Sequence, residues 1–458
     1  MKLKSYPEYK DSGIKWIGKI PEEWAVHRIK SFVPYIKNGQ WGDDSSGGNN
    51  DFIVLRVADF LEFNFNLDKE LTIRNINDTK LRLKEGDLVI EKSGGGEKQI
   101  VGRVVQLKNS SKDKKYTYSN FIGKLDISNR MNKTFLNYYF KAFYNNRVNF
   151  NYIKQTTGIQ NLDSTSLIQR EYFAYPTDKN YQKSIVSFLD KKIAEIDELI
   201  EKDKKLIELL KEKRTALINH AVTKGLPVRC TQTGLDPNAN MKDSGIEWIG
   251  KVPEGWKVVP LLKFLESKVD YRGATPEKVV EGVFLVTGRN IKEGKIDYEL
   301  SQEFVPEDQY KEIMHRGKPQ IGDLLFTTEA PLGEVANVDN ETVALAQRII
   351  KMRGQKDKLN NYYLKYYIMT ALFQRHLQSY ATGSTALGIK ASNMCFLRLI
   401  VPFLSEQLQI VQYLNQVTDK IDKTIQKIEQ KINLLEEYKK SLIHHAVTGK
   451  IDVRGSEI

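Results

Sequence analysis

Cysteine is nearly absent from this sequence: Cys230 and Cys395 are the only two in 458 residues, far apart and without a CxxC partner. That excludes a disulfide framework and a thiolate zinc site. The six histidines offer no ligand face either, since His444 and His445 are neighbours and point to different parts of a helix. No run of 18 apolar residues occurs, and the amino end, MKLKSYPEYKDSG, has no apolar signal region. The expectation is a cytoplasmic protein without a membrane span.

Enzyme signatures are equally scarce. There is no GxxxxGKS or GxxxxGKT, so the phosphate cradle of a P-loop is missing. Although 13 prolines are present, no two are adjacent, which removes the Asn/Asp-Pro-Pro-Tyr/Phe box that holds the target nitrogen in DNA amino-methyltransferases. The glycine-rich EKSGGGEKQIVGR at 91–103 lies between two strand-like runs, DLVI and IVGRVVQL, and reads as a hairpin tip rather than a cofactor loop. Asp270, Glu293 and Lys295 are residue types that hold Mg²⁺ in nucleases, but KEGKID reads as a turn between strands. No catalytic residue and no metal site is expected.

What the sequence does have is charge, length and repetition. Lys and Arg outnumber Asp and Glu by 70 to 58, a net +12 that suits a polyanionic partner such as nucleic acid. At 458 residues with 40% hydrophobic content the chain is globular and too long for one core. The phrase KDSGIKWIGKIPEEW at Lys10 returns as KDSGIEWIGKVPEGW at Lys242, differing at three places after 232 residues. LINHAVTKGLPVR at 217–229 returns as LIHHAVTGKIDVR at 442–454, and NKTFLNYYFKA at 132–142 returns more loosely as NNYYLKYYIMT at 360–370. Colinear similarity at offsets of 225 to 232 residues means two copies of a unit far longer than a solenoid repeat.

The middles of the copies diverge. Short β-branched runs such as FIVLRV, DLVIEK and DLLFTT, bounded by Gly, Asn and Asp, predict strands, and one Tyr/Phe-rich amphipathic helix follows in each copy with its aromatics in the core. Each middle is therefore an α+β domain. Each copy then closes with a heptad helix. Leu189, Ile193, Ile196, Ile200, Asp203, Ile207, Leu210, Arg214, Leu217 and Ala221 step by four and three, and so do Leu414, Thr418, Ile421, Ile425, Ile428, Ile432, Leu435, Lys439, Leu442 and Ala446. Ser405 is the expected N-cap of the second helix, and Gly225 and Gly449 the expected left-handed stops. The two seams bury each other most simply as an antiparallel coiled coil about 50 Å long at 1.5 Å per residue. Such a rod, with a pseudo-twofold axis, would set two domains a turn or more of DNA apart, one turn being roughly 34–36 Å.

The doubled DSGIxWIGxxPExW at Asp11 and Asp243, SEQLQIVQYL at 405–414, the two heptad helices and HAVTGKIDVR at 445–454 together resemble the specificity (S) subunits of Type I restriction-modification systems. The first helix start, DKNYQKSIVSFL, keeps Gln182 and Ile185 of the family's form. The resemblance implies target recognition domains at 1–178 and 242–404, conserved helical spacers at 179–224 and 405–450, a linker at 225–241 and a tail at 451–458. It implies a non-catalytic subunit that binds double-stranded DNA at a bipartite target and docks two methyltransferase subunits, with motor-nuclease subunits completing the complex. It also implies that this chain binds no cofactor of its own: S-adenosylmethionine belongs to the methyltransferase partner, ATP and Mg²⁺ to the restriction partner.

Base edges are read by hydrogen-bonding side chains on loops, with cations on phosphates. In the first domain the candidates are Lys92, Ser93, Lys98, Gln99 and Arg103, together with Lys154, Gln155, Thr156, Thr157, Gln160 and Asn161. In the second they are Arg289, Asn290, Thr327, Thr328, Ser384, Thr385, Lys390 and Asn393.

Overall fold

A computed structural model describes residues 4–94, 99–155, 158–226, 240–272, 276–383 and 386–454. The chain forms two units of mixed helix and strand, one from residues 1–203 and 430–458, the other from 204–429. The division falls inside the two long helices and not at their ends, so each unit takes part of both. This differs from the expected boundaries because each helix end packs into the domain beside it.

In the first unit the strands β1 (Ile36–Asn38), β2 (Leu88–Glu91), β3 (Ser93–Gly94), β4 (Val104–Gln106) and β5 (Ile122–Leu125) precede helix α1 (Lys133–Asn145). Strands β6 (Ile153–Gln155) and β7 (Gln160–Leu162) follow, and then the long helix α2 (Lys179–Lys224). The main sheet has the order β4-β2-β5-β1. All four residues of β2 are buried because the strand separates two cores. Leu88 and Ile90 face Phe135, Tyr139 and Phe143 of α1. Val89 faces the other way, towards Leu55, Tyr116 and Tyr118. Alternate side chains of a strand point to opposite faces, so a run covered on both sides reads as continuous apolar sequence. Asn132 caps α1 by accepting the Phe135 N–H at 3.0 Å.

The second unit contains β8 (Leu265–Asp270), β9 (Leu324–Thr328), β10 (Leu332–Asn337), β11 (Ile349–Gly354), helix α3 (Asn361–Ile368) and the long helix α4 (Leu404–Val447). Its main sheet, β10-β9-β11-β8, repeats the first unit's order. Leu324 and Phe326 face Tyr363 and Tyr367 of α3, while Leu325 faces Val286 and Ala344. A parallel strand pair lies behind each sheet, Asp51–Leu55 with Tyr116–Tyr118 and Val283–Val286 with Ala344–Leu345.

The seams behave as their period predicts. In the first unit Leu189, Ile196, Ile200 and Leu442 are buried, with Ile193, Ile432 and Leu435 half-buried against them. In the second unit Leu414, Ile421 and Ile425 are buried, and Ile207, Leu210, Leu217 and Ile428 are half-buried. Within the first unit Lys431 reaches Asp203 at 2.8 Å and Lys439 reaches Asp197 at 2.6 Å. In the second, Arg214 meets Asp422 at 3.1 Å. Along α2 from Asp197 to Asp203 to Arg214 the partner on α4 falls from Lys439 to Lys431 to Asp422, so the paired segments run antiparallel.

Gly225 and Gly449 close the helices at φ of +87° and +71°. At Gly449 a Cβ would also stand 2.3 Å from Pro21 Cδ, which fixes glycine there twice over. Ser405 is not the N-cap: α4 begins one residue earlier, at Leu404, and Ser405 lies in its first turn. The repeated phrases pack on helix ends. Trp16 lies edge-on to Tyr139 and Phe143 and against His444. In the second unit Trp248 stacks on His376 at 3.9 Å. No helix among the described residues is long and apolar enough to cross a membrane.

Candidate nucleic-acid interface

Two of the sequence candidates' loops, 68 residues apart, are brought together in one three-stranded sheet, β3-β7-β6. Its register sets Ser93 opposite Asn161 and Asn161 opposite Lys154. Directly opposed residues of an antiparallel pair share a face. Gln160 and Leu162 are buried and Asn161 between them is exposed, so Ser93, Asn161 and Lys154 form one outward polar rung. Ser93 Oγ donates to Asn161 Oδ1 at 2.6 Å, which leaves the Asn161 amide hydrogens facing outward. Lys154 bonds Asp163 at 2.9 Å. Asp163 in turn accepts the Ser166 N–H, and that bond with Lys154 holds its carboxyl down at about 2. Lys92, at the end of β2, donates to Asn38 of β1 across the intervening β5, and burial pulls its pKa down. Gln99 and Gln155 are exposed.

Other candidates are corrected. Arg103 is buried, with Nε 3.0 Å from Glu91 and its guanidinium over the Phe60 ring, so it braces the hairpin from inside. Gln160 is turned inward, its Oε1 accepting the Val101 N–H at 3.0 Å. Asn290 is fully buried and closes its own turn, accepting from Thr287 and donating to the carbonyls of Asp297 and Ser301. Thr327 and Thr328 are buried because β9, like β2, is covered on both faces; their hydroxyls donate to the carbonyls of Glu334 and Arg348. Arg289 and Lys390 are exposed. Asn393 is half-buried and donates to the Tyr380 carbonyl at 3.4 Å. Lys98, Thr156, Thr157, Ser384 and Thr385 lie outside the described residues.

Backbone bonds show that the second unit builds a matching edge. Leu162 N donates to Lys92 O at 2.8 Å, and Ile389 N donates to Thr328 O at 3.0 Å. Lys92 N donates to Phe121 O at 2.9 Å, and Thr328 N donates to Arg348 O at 2.9 Å. At the other end of each central strand, just before β2 and β9, lies one charged anchor. Burial raises the Asp87 pKa, but Lys124 and Lys133 more than offset it and hold the carboxyl low. Asp323 is held low in the same way by Arg353 and Lys351, against the same cost of burial. The scaffold is repeated and its rim is not: where the first unit exposes the Phe121 ring, the second exposes Arg348. Sequence reasoning missed both positions, each immediately before a strand, and also Asn38. A large ring or a guanidinium left exposed at the mouth of a buried strand is the signal that would have marked them.

The nuclease constellation does not assemble. Asp270 is engaged by Arg272 at 2.5 Å and Lys295 by Asp422 at 2.7 Å, so each already has another partner. Among the described residues no group of three His, Cys, Asp or Glu is placed to hold a metal ion.

Residues 253–434 match the family described as Type I restriction modification DNA specificity domain. Over 97% of both chains the protein is 23% identical to the Type I restriction enzyme MjaVIII specificity subunit of Methanocaldococcus jannaschii. Its fold matches a chain from a structure addressing complex assembly and conformational transition of the type I R-M system, with a TM-score of 0.67 and 13% identity, covering 93% of this chain and 98% of that one. It also matches the HsdS subunit from Thermoanaerobacter tengcongensis at a TM-score of 0.51 and 12% identity, covering 94% and 98%. In sequence and in fold the chain is thus similar to the Type I restriction-modification specificity subunits, as the resemblance drawn from the sequence implies.

Proposed function

We propose that this chain is the DNA-reading specificity subunit of a Type I restriction-modification complex. It recognises a split target with two domains and leaves the chemistry to other subunits. One observation carries the reading most: two units share strand order and a buried Asp–Lys anchor, yet differ in the side chains their equivalent edges present. A scaffold kept constant under a changing rim is what two readers of different base pairs require. The antiparallel helix segments found in each unit support a coiled-coil spacer that fixes the distance between the half-sites, with the whole arising by internal duplication. The net charge of +12 supplies the sequence-independent attraction to phosphates.

On this reading the repeated Trp-containing phrases and helix ends present two similar docking faces to two methyltransferase subunits, which bring S-adenosylmethionine. Motor-nuclease subunits with ATP and Mg²⁺ complete the assembly, in the cytoplasm. Purified alone, the chain is expected to bind duplex DNA with affinity falling steeply as salt rises, and to neither methylate nor cut it until a methyltransferase partner is added. Modification or cleavage by the isolated chain contradicts the proposal.

A further inference from the structure

The second unit's rim holds a guanidinium that the fold neither buries nor needs. Arg348 stands where β11 begins, about half exposed, with Nε 2.8 Å from Glu329 Oε1. An ion pair so exposed contributes too little to stability to explain the arrangement. Glu329 is itself held: its backbone bridges to Gly388, and a Cβ at Gly388 would come within 3.1 Å of Glu329 Cβ and 3.3 Å of its Oε2. The carboxylate is thus fitted against a glycine, with Oε1 nearest to the arginine's Nε. Both terminal amino groups of Arg348 are left without partners among the described residues. Arg348 and Arg289 line one cleft of about 250 Å³, together with Thr287 and Gln347.

We propose that Arg348 reads a guanine in the half-site bound by the second unit, with Glu329 as its positioning residue; this rests on the DNA-reading function above. Guanine presents O6 and N7 side by side in the major groove, and an arginine fork is the side chain that meets both at once. A carboxylate beside Nε draws the guanidinium to one side and leaves the terminal amino groups for the base. The first unit offers the contrast, because the corresponding Phe121 cannot donate a hydrogen bond and is 51% exposed. Equivalent scaffolds thus carry opposite chemistries at one point of the rim, as readers of different base pairs must.

The test is selection of randomised duplexes on the full-length chain, comparing wild type with Arg348→Lys and Glu329→Gln. The wild type is expected to enrich a guanine at one position of one half-site. Replacing that base by 7-deazaguanine, which lacks N7, should weaken binding about 5- to 150-fold, the range of one bidentate contact. Arg348→Lys keeps the charge but not the fork, so it should lose the preference at that position alone and become indifferent to 7-deazaguanine. Glu329→Gln should lower the same preference by a smaller factor. A lysine variant that still selects the guanine overturns the inference, as does one that binds every sequence equally more weakly, which would mark a phosphate contact. A wild type that enriches no sequence overturns the DNA-reading function itself, and this inference with it.

Discussion

Gln182 and Gln407 sit in the first turns of the two long helices and perform the same task. Gln182 accepts the Asn132 N–H at 2.8 Å and donates to Pro176 O at 2.9 Å. Gln407 accepts the Asn360 N–H at 2.9 Å and donates to the carbonyls of Pro402 and Lys358. Each ties its helix start to the strand before it and to the cap of the aromatic helix. The one residue that DKNYQKSIVSFL shares with SEQLQIVQYL at this turn is thus a brace inside the unit. A buried polar group left without its partner costs about 1–3 kcal/mol. Gln182→Ala and Gln407→Ala should therefore each lower the unfolding free energy by about 2–4 kcal/mol in denaturant titrations. His444 makes a second prediction. Burial, helped by His445 and Lys450, lowers its pKa to about 4, and it faces Trp16 and the Asn146 amide. Below the ordinary value near 6.5 the unfolded chain takes up a proton that the folded chain refuses, so stability falls from there down to about pH 4 and then levels. His444→Gln should reduce the drop in melting temperature between pH 7 and pH 4.5; an unchanged drop would place the acid sensitivity elsewhere.

At the scale of elements, the heptad seam makes the sharpest statement, because period alone chose its members. Ile200 and Leu414 are 3% and 0% exposed, whereas Leu209 and Leu434 on the same helices are 51% and 65% exposed. Ile200→Ala and Leu414→Ala should each cost about 2–5 kcal/mol in chemical denaturation, and Leu209→Ala and Leu434→Ala within about 0.5 kcal/mol. The seam, the aromatic helices and the glycine stops were legible in the sequence because each depends on local spacing or a single backbone angle. The recognition rim was legible only in part. The segments 91–103 and 154–161 read as loops, but the Ser93–Asn161 rung depends on a strand register that joins residues 68 apart, which no local pattern reports. Thr327, Thr328 and Asn290 were misread for the opposite reason. A polar side chain looks the same in sequence whether it faces solvent or satisfies a buried carbonyl. Phe121 and Arg348 went unnoticed because each continues a strand-like run and shows its exposure only in the fold.

At the scale of the whole molecule, the account makes specificity modular: each unit's rim determines one half of the target, and the spacer between the halves is set by the helices. Exchanging residues 25–175 for those of a relative leaves the second unit's strands and rim untouched, since they lie in residues 204–429. The most direct measurement is to map methylated bases across the genome of a host carrying either the native chain or this exchange. The account predicts a split motif in which one half changes while the other half and the number of bases between them stay the same. A motif that changes in both halves, or in neither, would contradict it.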